Sequence, residues 1–382
     1  MSECVLITIF VNELTQQKNG LKLTMKIACY FNGKSAFGGA ERRMGRIMNL
    51  ISQEGIEVVF VFRLFEPLPQ VVEAYKKAIG DNFQLKFAGF NSSLDVYKYT
   101  KRERFDVVFY AGAYRYMLPF FLAAKRGNSK TILLQVTTGP SIGQFSTFVE
   151  RMEFELVANN SDRIDCLYPS TTDLIKRKYR KQIVTTTPCP STDLERFQPM
   201  KKRKRISFIS RWVPGKNVEL FLASVISIEN QLFEKGYEVF LCGKSQDGVI
   251  ESEVQNLLSA AKHPEIVICP GYIDSHDILP ESEVFMSLQH INNYPSQSLI
   301  EAIACGCYII ASDEGDTRLL VKEDFGACCE LNIESISRCI LDYIYKDDNQ
   351  KQTIPDSARK FALESFDIQK SVEHYLRLIT ED

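Results

Sequence analysis

One tryptophan, four histidines and no long apolar run set limits on this chain before any motif is considered. His263, His276, His290 and His374 are too few and too dispersed for an all-histidine metal site. No stretch approaches the roughly 18 apolar residues that a membrane-crossing helix needs. The longest candidate, "MLPFFLAA" from Met117 to Ala124, is short and carries a proline. The opening "MSECVLITIF" has an acid where a secretory signal needs a basic start, so export is not expected. The eleven cysteines form no C-x-x-C pair, and neither Cys305/Cys307 nor Cys328/Cys329 has a histidine beside it. That excludes a zinc-ribbon spacing and points to reduced, mostly buried thiols in a cytoplasm. A D-x-D motif is also missing, so no metal is expected to hold a diphosphate.

What is present suits a two-domain globular protein. A length of 382 residues exceeds one typical core, and 45% hydrophobic with 25% charged residues excludes a disordered chain. The net charge of −2 hides two opposite halves. Residues 1–200 hold 27 Lys and Arg against 19 Asp and Glu, and residues 201–382 hold 19 against 29. Different charge implies different partners for the two halves.

Continuous apolar runs alternate with helical patterns: "KIACY", "EVVFVF", "DVVFY", "TILLQV" and "IDCLYP", then "RISFIS", "YEVFLCG", "EIVICP", "EVFMSL" and "CYIIAS". Strands without polar alternation belong to parallel sheets covered on both faces, so each half reads as a doubly wound α/β domain. The expected organisation is an N-terminal domain over 25–196, a linker at 197–205, a C-terminal domain over 206–362 and a final helix over 363–382. Residues 1–24 precede "MKIACYFNG" and read either as an appended edge strand or as the product of a mis-assigned start.

Three stretches carry chemistry. In "CYFNGKSAFGGAERRMGRIMNLI", Gly38 and Gly39 open a helix whose Ala40, Met44, Ile47, Met48 and Ile51 share one face, with Arg42, Arg43 and Arg46 pointing elsewhere. A helix start with glycines lets an anion approach free backbone N–H groups. In "ISFISRWVPGKNVELF", Arg211 leaves a strand end and Lys216 precedes a helix, a fork and a point charge suited to a pyrophosphate. In "NNYPSQSLIEAIACGCYIIASDEG", Ser296, Gln297 and Ser298 leave a second helix start unblocked. Glu301 follows one turn inside, placed to accept sugar hydroxyls, while the Asn292 and Asn293 amides suit further hydroxyls.

Taken in order, these stretches resemble the retaining family 4 glycosyltransferases of the GT-B fold. Arg211-Trp-Val-Pro-Gly-Lys216 resembles that family's arginine-x4-lysine, and "NNYPSQSLIEAIACGCYIIASDEGDTRLL" its E-x-F-P…L-x-E-A-x-A-x-G block. "GGAERR" is similar to its N-terminal glycine loop, and "PSTDLERFQP" to its segment before the linker. The resemblance implies two Rossmann-like domains facing across a cleft, with the C-terminal helix crossing back to the N-terminal domain. It implies that Arg211 and Lys216 neutralise a departing nucleoside diphosphate and that Glu301 holds the ribose. Backbone around Ser298 and Leu299 would contact the diphosphate, and Gly271, Tyr272 and Ile273 would border the base. Asn292, Asn293, Tyr294, Pro295, Ser296 and Gln297 would complete the donor cradle, with Gly38 and Gly39 closing from the other domain.

The chain departs from that pattern twice. The family's first Glu is here Asn292 or Asn293, and an amide cannot offset positive charge. The family's N-terminal histidine is replaced by Thr138 before Gly139 in "LLQVTTGPS", and no histidine lies in the first half. The implied activity is a metal-independent, retaining transfer from a nucleoside-diphosphate sugar to a glycan or lipid-pyrophosphate acceptor, in a bacterial surface polysaccharide such as O-antigen or capsule. A binding relative without turnover and a nucleotide-sugar epimerase of the same architecture stay open as alternatives. The basic runs "IKRKYRKQ" (175–182) and "YRYMLPFFLAAKRG" (114–127) suit an anionic membrane on the cytoplasmic side. A nucleic-acid partner is not expected from the single run "KKRKR" at 201–205.

Overall fold

The structure, a computed structural model, describes residues 25–33, 39–64, 68–80, 82–111, 118–135, 145, 147–188, 190–245, 248–292 and 294–381. The chain forms two compact units, Met1–Pro188 with Gln369–Asp382, and Cys189–Ile368. Both are parallel α/β sandwiches, as the unbroken apolar strands require.

The first unit is a seven-stranded sheet of β1 (Lys26–Gly33), β2 (Glu57–Leu64), β3 (Lys86–Phe90), β4 (Val107–Ala111), β5 (Lys130–Gln135), β6 (Arg163–Cys166) and β7 (Ile183–Thr186). Its strand order is β3-β2-β1-β4-β5-β6-β7. Central strands are buried on both faces: Ala28, Tyr30, Val108, Tyr110 and Leu133 share one core with Phe120, Phe154 and Val157 from the covering helices. The helix Gly39–Gln53 buries Met44, Ile47, Met48 and Ile51 as its spacing predicts. Arg43 departs from that expectation. It is buried, and its guanidinium lies beside Tyr375 of the returning C-terminal segment.

The second unit has six strands, β8 (Arg203–Ile209), β9 (Glu238–Cys242), β10 (Val267–Gly271), β11 (Ser282–Ser287), β12 (Tyr308–Ser312) and β13 (Gly326–Cys329). Their order is β10-β9-β8-β11-β12-β13. Winding therefore reverses between β8 and β11, where the loops after the two strands part and leave a crevice. The expected linker overlaps this sheet, because β8 already begins at Arg203. Four of the five cations of "KKRKR" have partners within the second unit: Lys202 Nζ donates to the carbonyls of Pro280 and Cys305, Arg203 pairs with Glu281, Lys204 donates to the Lys235 carbonyl, and buried Arg205 lies 4.2 Å over the Phe240 ring. Upstream, Arg359 donates to the carbonyls of Phe197 and Leu194, fastening residues 194–197 to the second unit.

The C-terminal amphipathic stretch divides into two helices, Asp348–Ser365 and Ile368–Thr380. The second packs in the first unit, with the Tyr375 ring 5.8 Å from Phe109 and Arg163 Nη2 donating to the Glu381 carbonyl at 2.8 Å. Among the described residues no helix is long and apolar enough to cross a membrane.

Candidate functional site

The loop after β8 is shaped before it is charged. Trp212 is buried and bridges to Ser245, the residue that follows the turn after β9. Gly243 in that turn has φ +142°, and a Cβ there would meet the Ser210 carbonyl at 2.0 Å, so only glycine lets the two loops approach. Arg211, next to this packed tryptophan, stays exposed. The Val213 carbonyl accepts from the Lys216 amide at 3.1 Å, closing a turn that brings the lysine back over the sheet.

Lys216 reaches across the switch point. Its Nζ donates to Gln289 Oε1 in the loop after β11, and the Gly215 carbonyl accepts from His290 N at 3.2 Å. Gln289 is itself fixed, because its amide donates to Ser312 Oγ at 2.9 Å and its carbonyl accepts from the same hydroxyl at 2.8 Å. Burial, and then the charge of Arg211, lower Lys216 to about 8. Two cations that disfavour each other in a half-buried crevice suit a polyanion.

The helix Gln297–Ala304 supplies the opposite group. Ser296 at its start makes no side-chain capping bond, although its hydroxyl lies 3.4 Å from that of Ser298. Leu299 faces the core, so only its backbone is available to a ligand. Gly306 closes the helix at φ +74° against Pro355, where a Cβ would sit 3.0 Å from the proline. Glu301, one turn into the helix, is 1% exposed. Ser275 Oγ donates to its Oε2 at 2.7 Å, and its Oε1 is buried with no hydrogen-bond partner among the described residues.

Other expected residues take varied places. Asn292 is a fastener: its Oδ1 accepts from the amides of Tyr294 and Asp316, each at 3.0 Å, and its Nδ2 donates to Asp316 Oδ2 at 2.9 Å. Tyr294 is buried, and Pro295 and Gln297 are half-buried, with Gln297 Nε2 donating to Thr192 Oγ1 at 3.3 Å. Gly271 ends β10 at φ +79°, and its carbonyl accepts from Gly243 N at 2.8 Å. Tyr272 beyond it is 87% exposed and Ile273 is half-buried. Gly39 begins its helix in the first unit. Gly38, Asn293, Thr138, Gly139 and the leader 1–24 lie outside the described residues.

Sequence reasoning missed Gln289 and Ser275, which hold Lys216 and Glu301. Each sits in a loop after a strand end, but nothing local to either names its partner. It also left the first unit without a histidine, whereas the C-terminal helix returns His374, whose Nε2 lies 2.8 Å from Asp165 Oδ1.

Similarity to known proteins falls where the geometry does. Residues 191–361 match the family Glycosyl transferases group 1. No curated protein is matched by the chain. Among solved structures, Anabaena Alr3699/HepE in complex with UDP and glucose is 13% identical, with 94% of this chain and 100% of that chain covered at a TM-score of 0.74. Sucrose-phosphate synthase from Thermosynechococcus elongatus is 14% identical, covering 93% and 98% at 0.71. S. aureus TarM in complex with fondaparinux, alpha-GlcNAc-glycerol and UDP is 11% identical, covering 94% and 100% at 0.71. The fold is thus that of the GT-B glycosyltransferases, and its second unit carries the group 1 match.

Proposed function

We propose that the protein is a retaining, metal-independent glycosyltransferase. It moves a sugar from a nucleoside-diphosphate sugar to a glycan or lipid-pyrophosphate acceptor, in the assembly of a bacterial surface polysaccharide. The observation that carries this reading is Glu301. A buried carboxylate oxygen without a donor costs free energy that a folded protein normally recovers, and a ribose hydroxyl is a donor of the right kind. The group 1 match over 191–361 and the UDP held by HepE and TarM support a uridine donor.

Charge accounts for the rest of the site. As the bond from sugar to diphosphate breaks, negative charge grows on the leaving group. Arg211 offers a planar fork, Lys216 a protonated amine and the Gln297–Ala304 helix its first N–H groups. The transfer then proceeds on one face of the sugar, with the departing diphosphate taking the acceptor proton. Asn292, tied to the backbone on both sides, shapes the loop and leaves sugar selection to its neighbours.

The test is thermal stabilisation by UDP, GDP, ADP and CMP. A diphosphate at about 100 times its dissociation constant adds ~2.7 kcal/mol to stability. UDP is expected to stabilise the wild type and to fail with Arg211→Ala and Lys216→Ala. No response to any nucleotide would overturn the reading.

A further inference from the structure

We propose that the helix Phe148–Asn160, with the basic run Arg177–Lys181 beside it, seats the first unit on the surface of an anionic lipid bilayer. This helix is apolar on two opposite faces. Its inner face buries Phe154, Val157 and Ala158, with the Phe154 ring 5.6 Å from Phe145 and 6.3 Å from Tyr179. Its outer face presents Phe148, Val149, Met152 and Leu156, exposed from 73% at Phe148 to 40% at Leu156. At helical spacing these four fall in one stripe about 100° wide, directly opposite the inner three. The helix is regular from its start, since Thr147 Oγ1 caps it by accepting from Glu150 N at 3.1 Å. A helix on the flank of a domain needs one apolar face, and among the described residues the second stays exposed.

Cations stand along one side of the stripe. Lys178 Nζ donates to Glu155 Oε1 at 2.5 Å, and Gln182 Nε2 to the Asn159 carbonyl at 2.7 Å, which lays the segment 177–182 against the helix. Between them is a groove of about 540 Å³ lined by Asn159, Asn160 and residues 177–182. Arg177, Lys178, Arg180 and Lys181 are exposed there, and Leu174 and Ile183 add apolar surface next to them. Glu153 falls on the other flank at helical spacing.

An apolar helix face with a cationic border is the arrangement that lies in a bilayer interface. The stripe is aliphatic with one Phe, and it lacks the Tyr, Trp and Arg anchors that concentrate binding energy between proteins. Clustered Lys and Arg are drawn to anionic lipid, and the guanidiniums in the groove match a headgroup phosphate. Seating on a bilayer is independent of sugar transfer, and the two fail by different experiments.

The experiment is co-sedimentation of the full chain, without nucleotide, with phosphatidylcholine vesicles and with vesicles containing about 30% phosphatidylglycerol. Binding is expected to the anionic vesicles alone and to weaken as salt rises. Met152→Ser with Leu156→Ser, and separately Arg177→Glu with Lys181→Glu, should each weaken it at least tenfold while leaving the melting temperature in place. Failure to bind anionic vesicles, or equal binding by both double variants, would overturn the proposal. So would a concentration-dependent dimer abolished by the serine pair, which would assign the face to a second copy of the chain.

Discussion

Two of the buried carboxylates, Asp165 in the first unit and Glu301 in the second, are treated differently. Asp165 in the first unit is 2% exposed and fully served: Thr185 Oγ1 donates to Oδ1 at 2.7 Å, Thr187 Oγ1 to Oδ2 at 2.9 Å, and His374 Nε2 lies 2.8 Å from Oδ1. Glu301 in the second unit is as deeply buried and, among the described residues, receives one bond, from Ser275. Burial alone therefore does not distinguish a structural acid from a binding one. Hydrogen-bond accounting does, because a chain that folds for its own sake satisfies its buried acceptors, and one that binds leaves a place for the ligand to do so.

The largest expected effect falls on the satisfied acid. Replacing His374 by Ala removes a donor from a buried carboxylate and opens a cavity under the C-terminal helix, at a cost of about 3 kcal/mol. Urea unfolding should show that loss, while nucleotide affinity in the second unit should not change. A loss of affinity without a loss of stability would break the comparison and make His374 a binding residue.

Glu301→Gln should do the reverse. Removing a buried, half-paired charge costs the fold little and can raise its stability, as happens where binding sites hold groups at the expense of stability. UDP affinity should fall about 30-fold, equivalent to ~2 kcal/mol. Calorimetric titration checks the first number and thermal melting the second. Lower stability with unchanged affinity would place Glu301 beside Asp165 as a structural residue.

Most of the fold was legible because central strands announce themselves. β1, β2, β4 to β6, and β8 to β12, read as apolar runs. The three strands that did not, β3, β7 and β13, all lie at sheet edges. There one side is wet and short mixed runs such as "KFAGF", "IVTT" and "GACC" suffice. The "KKRKR" run misled for a related reason. Arg205 is buried, yet its charge is absorbed by Glu281 and the Phe240 ring, partners far away in sequence. Arg211, Lys216 and Glu301 stood out because their order along the chain resembles a known family. What sequence cannot carry is satisfaction: that Gln289 holds Lys216, that Ser275 holds one oxygen of Glu301, and that a helix from the far end of the chain brings His374 to Asp165. These depend on which strand ends the topology places side by side.

The smallest effect, and the one that extends the comparison to a cation, is the pH dependence of Lys216. Burial and then Arg211 bring this lysine to about 8, so the free site is half-charged there. A diphosphate binds the protonated form. Below pH 8 the proton is already in place, and above it binding must take one up, so affinity falls as pH rises. Between pH 7 and pH 9 the loss should be about tenfold, or ~1.4 kcal/mol, and Lys216→Arg should flatten the profile. Stability of the free protein should run the other way. The unfolded lysine keeps its proton up to its ordinary 10.5 while the folded one gives it up near 8, so the fold gains with pH between those values. Titration of UDP binding across pH 7 to 9 decides the matter. A flat profile in the wild type would mean that Gln289 serves Lys216 as completely as the threonines and His374 serve Asp165, while Glu301 keeps an acceptor oxygen open among the described residues.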